Sequence, residues 1–206
     1  MAERDPGGGQ GRLYVVGTGP GHPDHLTPAA GRAIGAADVV VGYRTYLDLI
    51  APLLAGKTVE ASAMMQEVDR CRRALALAGE GRVVALVCGG DPGVYAMAGL
   101  VFELAEHLDA PPAIEIVPGI AALNACAALL GAPLMHDFCA ISLSDLLTPW
   151  PVIERRLAAA AAADFVIVLY NPRSKRRTWQ IGAARDIIMA ERPPSTPVGI
   201  VTAASR

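Results

Sequence analysis

The stretch that most constrains this chain is residues 83–97, Val-Val-Ala-Leu-Val-Cys-Gly-Gly-Asp-Pro-Gly-Val-Tyr-Ala-Met. The apolar run over 83–87 reads as a strand; it stops at Gly89, Gly90 and Asp91, and a helical pattern resumes after Pro92. Glycines at the end of a central strand place bare backbone at the carboxyl edge of a sheet, where open α/β folds bind ligands, with Asp91 at the rim. Equally, Asp91 can cap a helix whose first position is Pro92. These residues alone leave both readings open.

Around this stretch, short apolar runs alternate with helical patterns. Strands are expected over 12–16, 38–41, 58–60, 113–117, 139–143, 165–170 and 198–202. A helix opens at Thr27 as N-cap with Pro28 at its first position, and another over 64–78 carries Val68, Leu75 and Ala78 on one face. Further helices are expected over 98–108, over 123–130 with Gly131 as cap, over 150–163 and over 177–190. The alternation predicts an α/β fold with parallel sheet covered by helices. A boundary at Gly131-Ala132-Pro133 divides it into domains of 12–131 and 132–206, with 1–11 read as a disordered leader and no signal peptide. The chain stops on an apolar strand, so the second domain is expected to be incomplete.

Apolar residues make up 52% of the chain and charged residues 18%, which excludes a disordered protein. No apolar run reaches the length of a membrane span, and a net charge of −2 offers no field for nucleic acid. Cys71, Cys88, Cys126 and Cys139 stand far apart and read as free thiols, not metal ligands, in a cytoplasmic protein.

Gly17-x-Gly19-x-Gly21 after a strand invites a dinucleotide reading. Pro20 and Pro23 interrupt that turn, the helix begins only near Pro28, and no acid ends the second strand, so the reading is disfavoured. Gly56-Lys57-Thr58 resembles the tail of a phosphate loop but precedes a strand, which makes it a turn with a solvated lysine. Arg173, Lys175, Arg176 and Arg177 form a basic knot after Tyr170-Asn171-Pro172. Positive charge at a helix start opposes the macrodipole, which favours an anion-binding reading over a solvated one.

Taken together, Gly17-Thr18-Gly19-Pro20-Gly21 with Leu26-Thr27, Gly90-Asp91-Pro92 with Tyr95, and Pro118-Gly119-Ile120 resemble the tetrapyrrole methylases. Val41-Gly42-Tyr43-Arg44-Thr45-Tyr46, Gly131-Ala132-Pro133-Leu134-Met135-His136-Asp137-Phe138, the run over 141–150 and Tyr170-Asn171-Pro172-Arg173-Ser174 are similar to the branch that methylates carbon 17 of precorrin-3B in cobalamin synthesis. The resemblance covers residues 12–206. It implies two α/β domains with S-adenosylmethionine (SAM) held in the cleft between them, S-adenosylhomocysteine (SAH) as product, and a homodimer.

Carried over by position, the resemblance places SAM against Pro20, Gly89, Gly90, Asp91, Val94, Ala121, Ala122, Asn171 and Ala204. Tyr43 stands where the family often has an aspartate, and Tyr43 or the adjacent Arg44 is the implied catalytic position. The polycarboxylate tetrapyrrole would be anchored by Arg44, Arg70 and the knot of Arg173, Lys175, Arg176 and Arg177, with Arg173 and Arg176 foremost. Alternatives within the class are another precorrin or a cobalt-precorrin as substrate; outside it stand a nucleotide-binding oxidoreductase and a SAM-binding remnant without turnover.

Overall fold

The structure is a computed structural model that describes residues 11–206, so the leader expected over 1–11 lies, apart from Gly11, outside the described residues. The chain forms two compact units, one running to Ala125 and taking in Ala203–Arg206, the other Cys126–Thr202. The division falls inside a helix and not at Gly131. Among the described residues no helix is long and apolar enough to cross a membrane.

The first unit holds strands β1 (Arg12–Gly17), β2 (Val39–Tyr43), β3 (Thr58–Ser62), β4 (Val83–Cys88) and β5 (Ala113–Val117). Helices α1 (Pro28–Ala36), α2 (Arg44–Leu49), α3 (Glu67–Gly79) and α4 (Ala98–Ala105) connect them, and α5 (Ala122–Leu129) follows β5. The sheet is parallel throughout, in the order β3-β2-β4-β1-β5. Its central strands are runs of valine because both faces are covered. Leu13, Val15, Val39, Val41, Val84 and Leu86 pack one face against α3 and α4, while Val16, Val40, Ala85 and Val87 pack the other against α1. Each of these buried valine and leucine side chains contributes about 1.5–3 kcal/mol relative to exposure.

Local chemistry sets the ends of the helices. Thr27 Oγ1 accepts from Ala30 N at 3.1 Å with Pro28 next in line, as the sequence predicts. Helix α3 starts at Glu67 and not at Met64, because Gln66 Oε1 accepts from Ala63 N at 2.9 Å and Met65 takes φ 66°. Val68 is consequently exposed, and the buried face is Arg70, Cys71, Ala74, Leu75, Leu77 and Ala78. Lys57 is not a solvated turn lysine: Nζ donates to the carbonyls of Gly35 and Ala37 at 2.8 and 2.9 Å, closing the end of α1. Burial pushes the Cys71 thiol up to about 11 and the Cys88 thiol up to about 12, so both stay protonated at neutral pH.

The second unit contains β6 (Phe138–Ser142), α6 (Trp150–Ala162), β7 (Val166–Tyr170) and α7 (Gln180–Glu191). β6 and β7 pair in parallel, and Ile141, Leu143, Ile153, Leu157 and Ala184 form their core. Helix α7 starts at Gln180 and not at Arg177, since Ser174 closes a turn on Arg177 through Ser174 N to Arg177 O and Arg177 N to Ser174 Oγ, both 3.0 Å. The basic knot therefore precedes the helix, and the macrodipole penalty argued from the sequence does not arise. No strand forms over 198–202: Val198 and Ile200 are 82% and 86% exposed. A strand needs a neighbour to bond, and among the described residues none pairs with this segment.

Candidate functional site

β1 and β4 lie side by side, yet the chain leaves β1 for α1 on one face of the sheet and leaves β4 for α4 on the other. That divergence makes the carboxyl ends of these two strands a topological switch point, the place where open α/β sheets hold ligands. Gly19 and Gly90 bridge it, each donating its N–H to the other's carbonyl at 3.1 and 2.7 Å. Thr18 adds its N–H and its hydroxyl to the Cys88 carbonyl at 2.8 and 3.0 Å.

Asp91 does not cap a helix, because α4 begins only at Ala98. Its Oδ1 accepts from Gly93 N at 2.8 Å and its Oδ2 from Gly119 N at 3.1 Å, so the carboxylate staples the loop after β4 to the loop after β5. Three backbones meet here without side chains between them. A β-carbon on Gly17 would lie 2.6 Å from the Gly90 carbonyl oxygen and 2.7 Å from Gly119 N. Gly90 itself takes φ 72°, the left-handed state that glycine adopts without penalty.

Gly89 has a different reason to be glycine. The Tyr46 ring fills the space where its β-carbon would point, with ring atoms 2.5–3.0 Å from that position. Tyr46 meets Tyr43 edge-on at 5.5 Å between centroids and has the Arg206 guanidinium 5.7 Å above its ring. The two glycines thus do not present open backbone as the sequence suggested: one is covered by an aromatic ring and the other is hydrogen-bonded through both its N–H and its carbonyl. Gly89→Ala is expected to cost about 2 kcal/mol through displacement of Tyr46, lowering the melting midpoint by about 6 °C. In a Tyr46→Ser background the same change should cost little, which thermal unfolding of the four chains checks.

Pro20 and Ala204, far apart in sequence, come together. The Pro20 carbonyl accepts from Arg206 Nε at 3.0 Å, and Ser205 Oγ and His25 Nδ1 hydrogen-bond at 3.1 Å. Ala203 and Ser205 both take positive φ, 52° and 62°, folding this segment into a turn closed by Arg206 N to Ala203 O at 3.0 Å. Pro20, Gly89, Gly90, Asp91, Val94, Ala121, Ala122 and Ala204 therefore share the carboxyl edge of the five-stranded sheet. Tyr43 ends β2 and Arg44 opens α2 at that same edge.

Arg70 is elsewhere in kind. It is 5% exposed, and its guanidinium donates from Nε to Ser62 Oγ at 2.5 Å, from Nη2 to the Ala63 carbonyl at 2.8 Å and from Nη1 to Met97 Sδ at 3.5 Å. With every nitrogen engaged inside the first unit it is a strut between β3 and α3, not an anchor facing a substrate. Asn171, Arg173 and Arg176 belong to the second unit, after β7; both arginines are exposed, and Asn171 Nδ2 donates to Ser142 Oγ at 3.0 Å.

Sequence reading missed Arg206, and it took Tyr46, Ser142, Ser144 and Gly119 only as parts of motifs. Gly119 carries a signal, a Pro-Gly step directly after a strand; Tyr46 carries none, because its role depends on a glycine on another strand.

The fold and this edge define an open, parallel-sheet α/β protein with a topological switch point between β1 and β4, its loops rich in glycine and alanine. A family model described as Tetrapyrrole (Corrin/Porphyrin) Methylases matches residues 12–206. Similar proteins include "Cobalt-factor III methyltransferase" of Priestia megaterium, 48% identical over 96% of this chain and 37% of that one. "Probable cobalt-factor III C(17)-methyltransferase" of Salmonella typhimurium is 50% identical over 94% and 80%. "Precorrin-3B C(17)-methyltransferase" of a Sinorhizobium species is 49% identical over 95% of this chain and 78% of that one. This chain thus spans about a third of the first of these relatives and about four fifths of the other two. Among solved structures, that of the methyltransferase CobJ superposes with a TM-score of 0.83 at 45% identity, over 89% of this chain and 77% of that one. Uroporphyrin-III C-methyl transferase from Thermus thermophilus, complexed with S-adenyl homocysteine, gives 0.61 at 26% identity, over 89% and 74%. The chain belongs to the tetrapyrrole methylase family.

Proposed function

We propose that this chain transfers a methyl group from SAM to carbon 17 of a precorrin-3B-type ring, with contraction of the macrocycle, in the cytoplasm and as a homodimer. The observation that carries the reading is the convergence of Pro20, Gly90, Ala121, Ala122 and Ala204 on one sheet edge from four separate segments. Small residues and tightly bonded turns there make a rigid, side-chain-poor cradle of the kind a folded nucleoside needs, so the residues present fit the group. SAM supplies an electrophilic methyl on a sulfonium. Pro20, Gly89, Gly90, Asp91, Val94, Ala121, Ala122, Asn171 and Ala204 would hold it, Gly89 and Asp91 by fixing the loop and not by reaching the ligand.

The chain's own task is alignment, since in-line displacement depends on the approach of donor and acceptor. Contraction also needs a group to take a hydroxyl proton; Tyr43 at the end of β2 and Arg44 at the start of α2 are the proposed catalytic positions, the Arg44 guanidinium as a fixed positive charge beside the reacting oxygen and not as the proton acceptor. Exposed Arg173 and Arg176 suit the carboxylate arms of the ring. Arg173→Ala and Arg176→Ala are each expected to raise the tetrapyrrole KM about tenfold, as for a lost charge-assisted contact, with SAH affinity unchanged. Steady-state kinetics with SAH calorimetry reads both.

Calorimetry against SAH and NAD tests the cofactor: SAH binding with no NAD binding supports the reading, and the reverse overturns it. The names of the Priestia and Salmonella relatives favour a second reading in which the ring already carries cobalt. Product mass and regiochemistry with metal-free and cobalt-loaded ring separate the two. Sedimentation as a monomer at micromolar concentration would remove the homodimer.

A further inference from the structure

The basic run after β7 is not uniform. Arg173, Lys175 and Arg176 are exposed, whereas Arg177 is half-buried and turned inward. Its Nη2 donates to Ser144 Oγ at 2.7 Å, its Nη1 to the Asn171 carbonyl at 3.1 Å, and its Nε is buried with no partner among the described residues. The turn through Ser174 fixes its backbone as well. Asn171 takes φ 51°, a left-handed state that a non-glycine residue holds only when its surroundings enforce it. Those surroundings are visible: Ser142 Oγ accepts from Asn171 Nδ2 at 3.0 Å and from Ser144 N at 3.2 Å, while the Arg177 fork spans Asn171 and Ser144. A guanidinium offers its two terminal nitrogens in one rigid geometry, so it ties the loop after β6 to the loop after β7 at a fixed spacing.

We infer that Arg177 is a positioning residue: it holds Asn171 in the conformation in which Asn171 meets the methyl donor, and it takes no part in anchoring the tetrapyrrole. The inference rests on the proposed role of Asn171 as a donor contact. An anchor for carboxylates would keep its guanidinium free toward solvent, as Arg173 and Arg176 do; that of Arg177 is spent on its own chain.

The test is SAH calorimetry on the unaltered chain, Arg177→Ala, Asn171→Gly and the double variant. Glycine keeps the left-handed backbone, so Asn171→Gly removes the amide without adding strain. Arg177→Ala and Asn171→Gly should each weaken SAH about tenfold, the scale of a hydrogen bond to a charged group. The double variant should be no weaker than Asn171→Gly alone. Ser144→Ala should act in the same direction by about threefold, be silent in the Asn171→Gly background, and stand in should Arg177→Ala fail to fold. In kinetics the SAM KM should rise while the tetrapyrrole KM stays put, the reverse of Arg173→Ala. Losses that multiply in the double variant, or normal SAH affinity in Arg177→Ala beside an impaired Asn171→Gly, overturn the positioning role alone. Normal SAH affinity in Asn171→Gly removes the donor-contact role of Asn171 and this inference with it.

Discussion

Gly119→Ala is expected to be the most damaging single-methyl change in the first unit. The added carbon would press on the Gly90 carbonyl oxygen and lie 2.8 Å from the carbonyl carbon and oxygen of Gly17. All of these are backbone atoms, held in turn by the β1–β4 ladder and the Gly19–Gly90 bridge, so nothing can swing aside as a flexible side chain could. Overpacking of a well-packed site costs about 1–3 kcal/mol, and a backbone-walled site belongs at the top of that range. The melting midpoint should fall by about 10 °C. SAH binding should be lost with it, because displacing Gly119 also pulls its N–H off Asp91 and releases the loop after β4. Differential scanning calorimetry with and without SAH reads both effects. A variant that melts normally and binds SAH normally would show that the three-glycine contact does not shape the proposed SAM site.

Arg70→Ala is the second large effect, and it distinguishes a strut from an anchor. Removing the guanidinium leaves Ser62 Oγ and the Ala63 carbonyl without their donors and opens a void beside Met97. Lost hydrogen bonds to a charged group at a buried site amount to about 3 kcal/mol, or about 10 °C in melting midpoint. Arg70→Lys should recover less than half of this, since an ammonium cannot reach three acceptors in the geometry of the fork. The tetrapyrrole KM of the folded fraction should not move. A raised KM with unchanged stability would return Arg70 to the substrate site.

Nothing in the sequence separates Arg70 from Arg173: each stands two residues before a second cation and three before a third. Arg70 happens to lie on the face of α3 that also buries Cys71 and Ala74, so its head group is carried inward, whereas Arg173 sits on a loop after β7. Asp91 was likewise ambiguous, because a carboxylate between glycine and proline suits a helix cap and a loop staple equally. The choice was made by Gly119, which lies 28 residues away and offers its N–H.

Periodicity and composition by themselves determined the parallel α/β architecture, since valine runs that alternate with helical patterns can bury both strand faces only under helices. The motifs determined the family and the gathering of small residues near strand ends, because those choices are local: a turn needs its glycine whatever else surrounds it. Tertiary structure alone decided which glycine faces Tyr46 and which faces backbone, which arginine is a strut, and why 198–202 is not a strand. Each depends on a partner distant in the chain, and hydrogen bonds and van der Waals contacts act over distances that sequence separation does not encode.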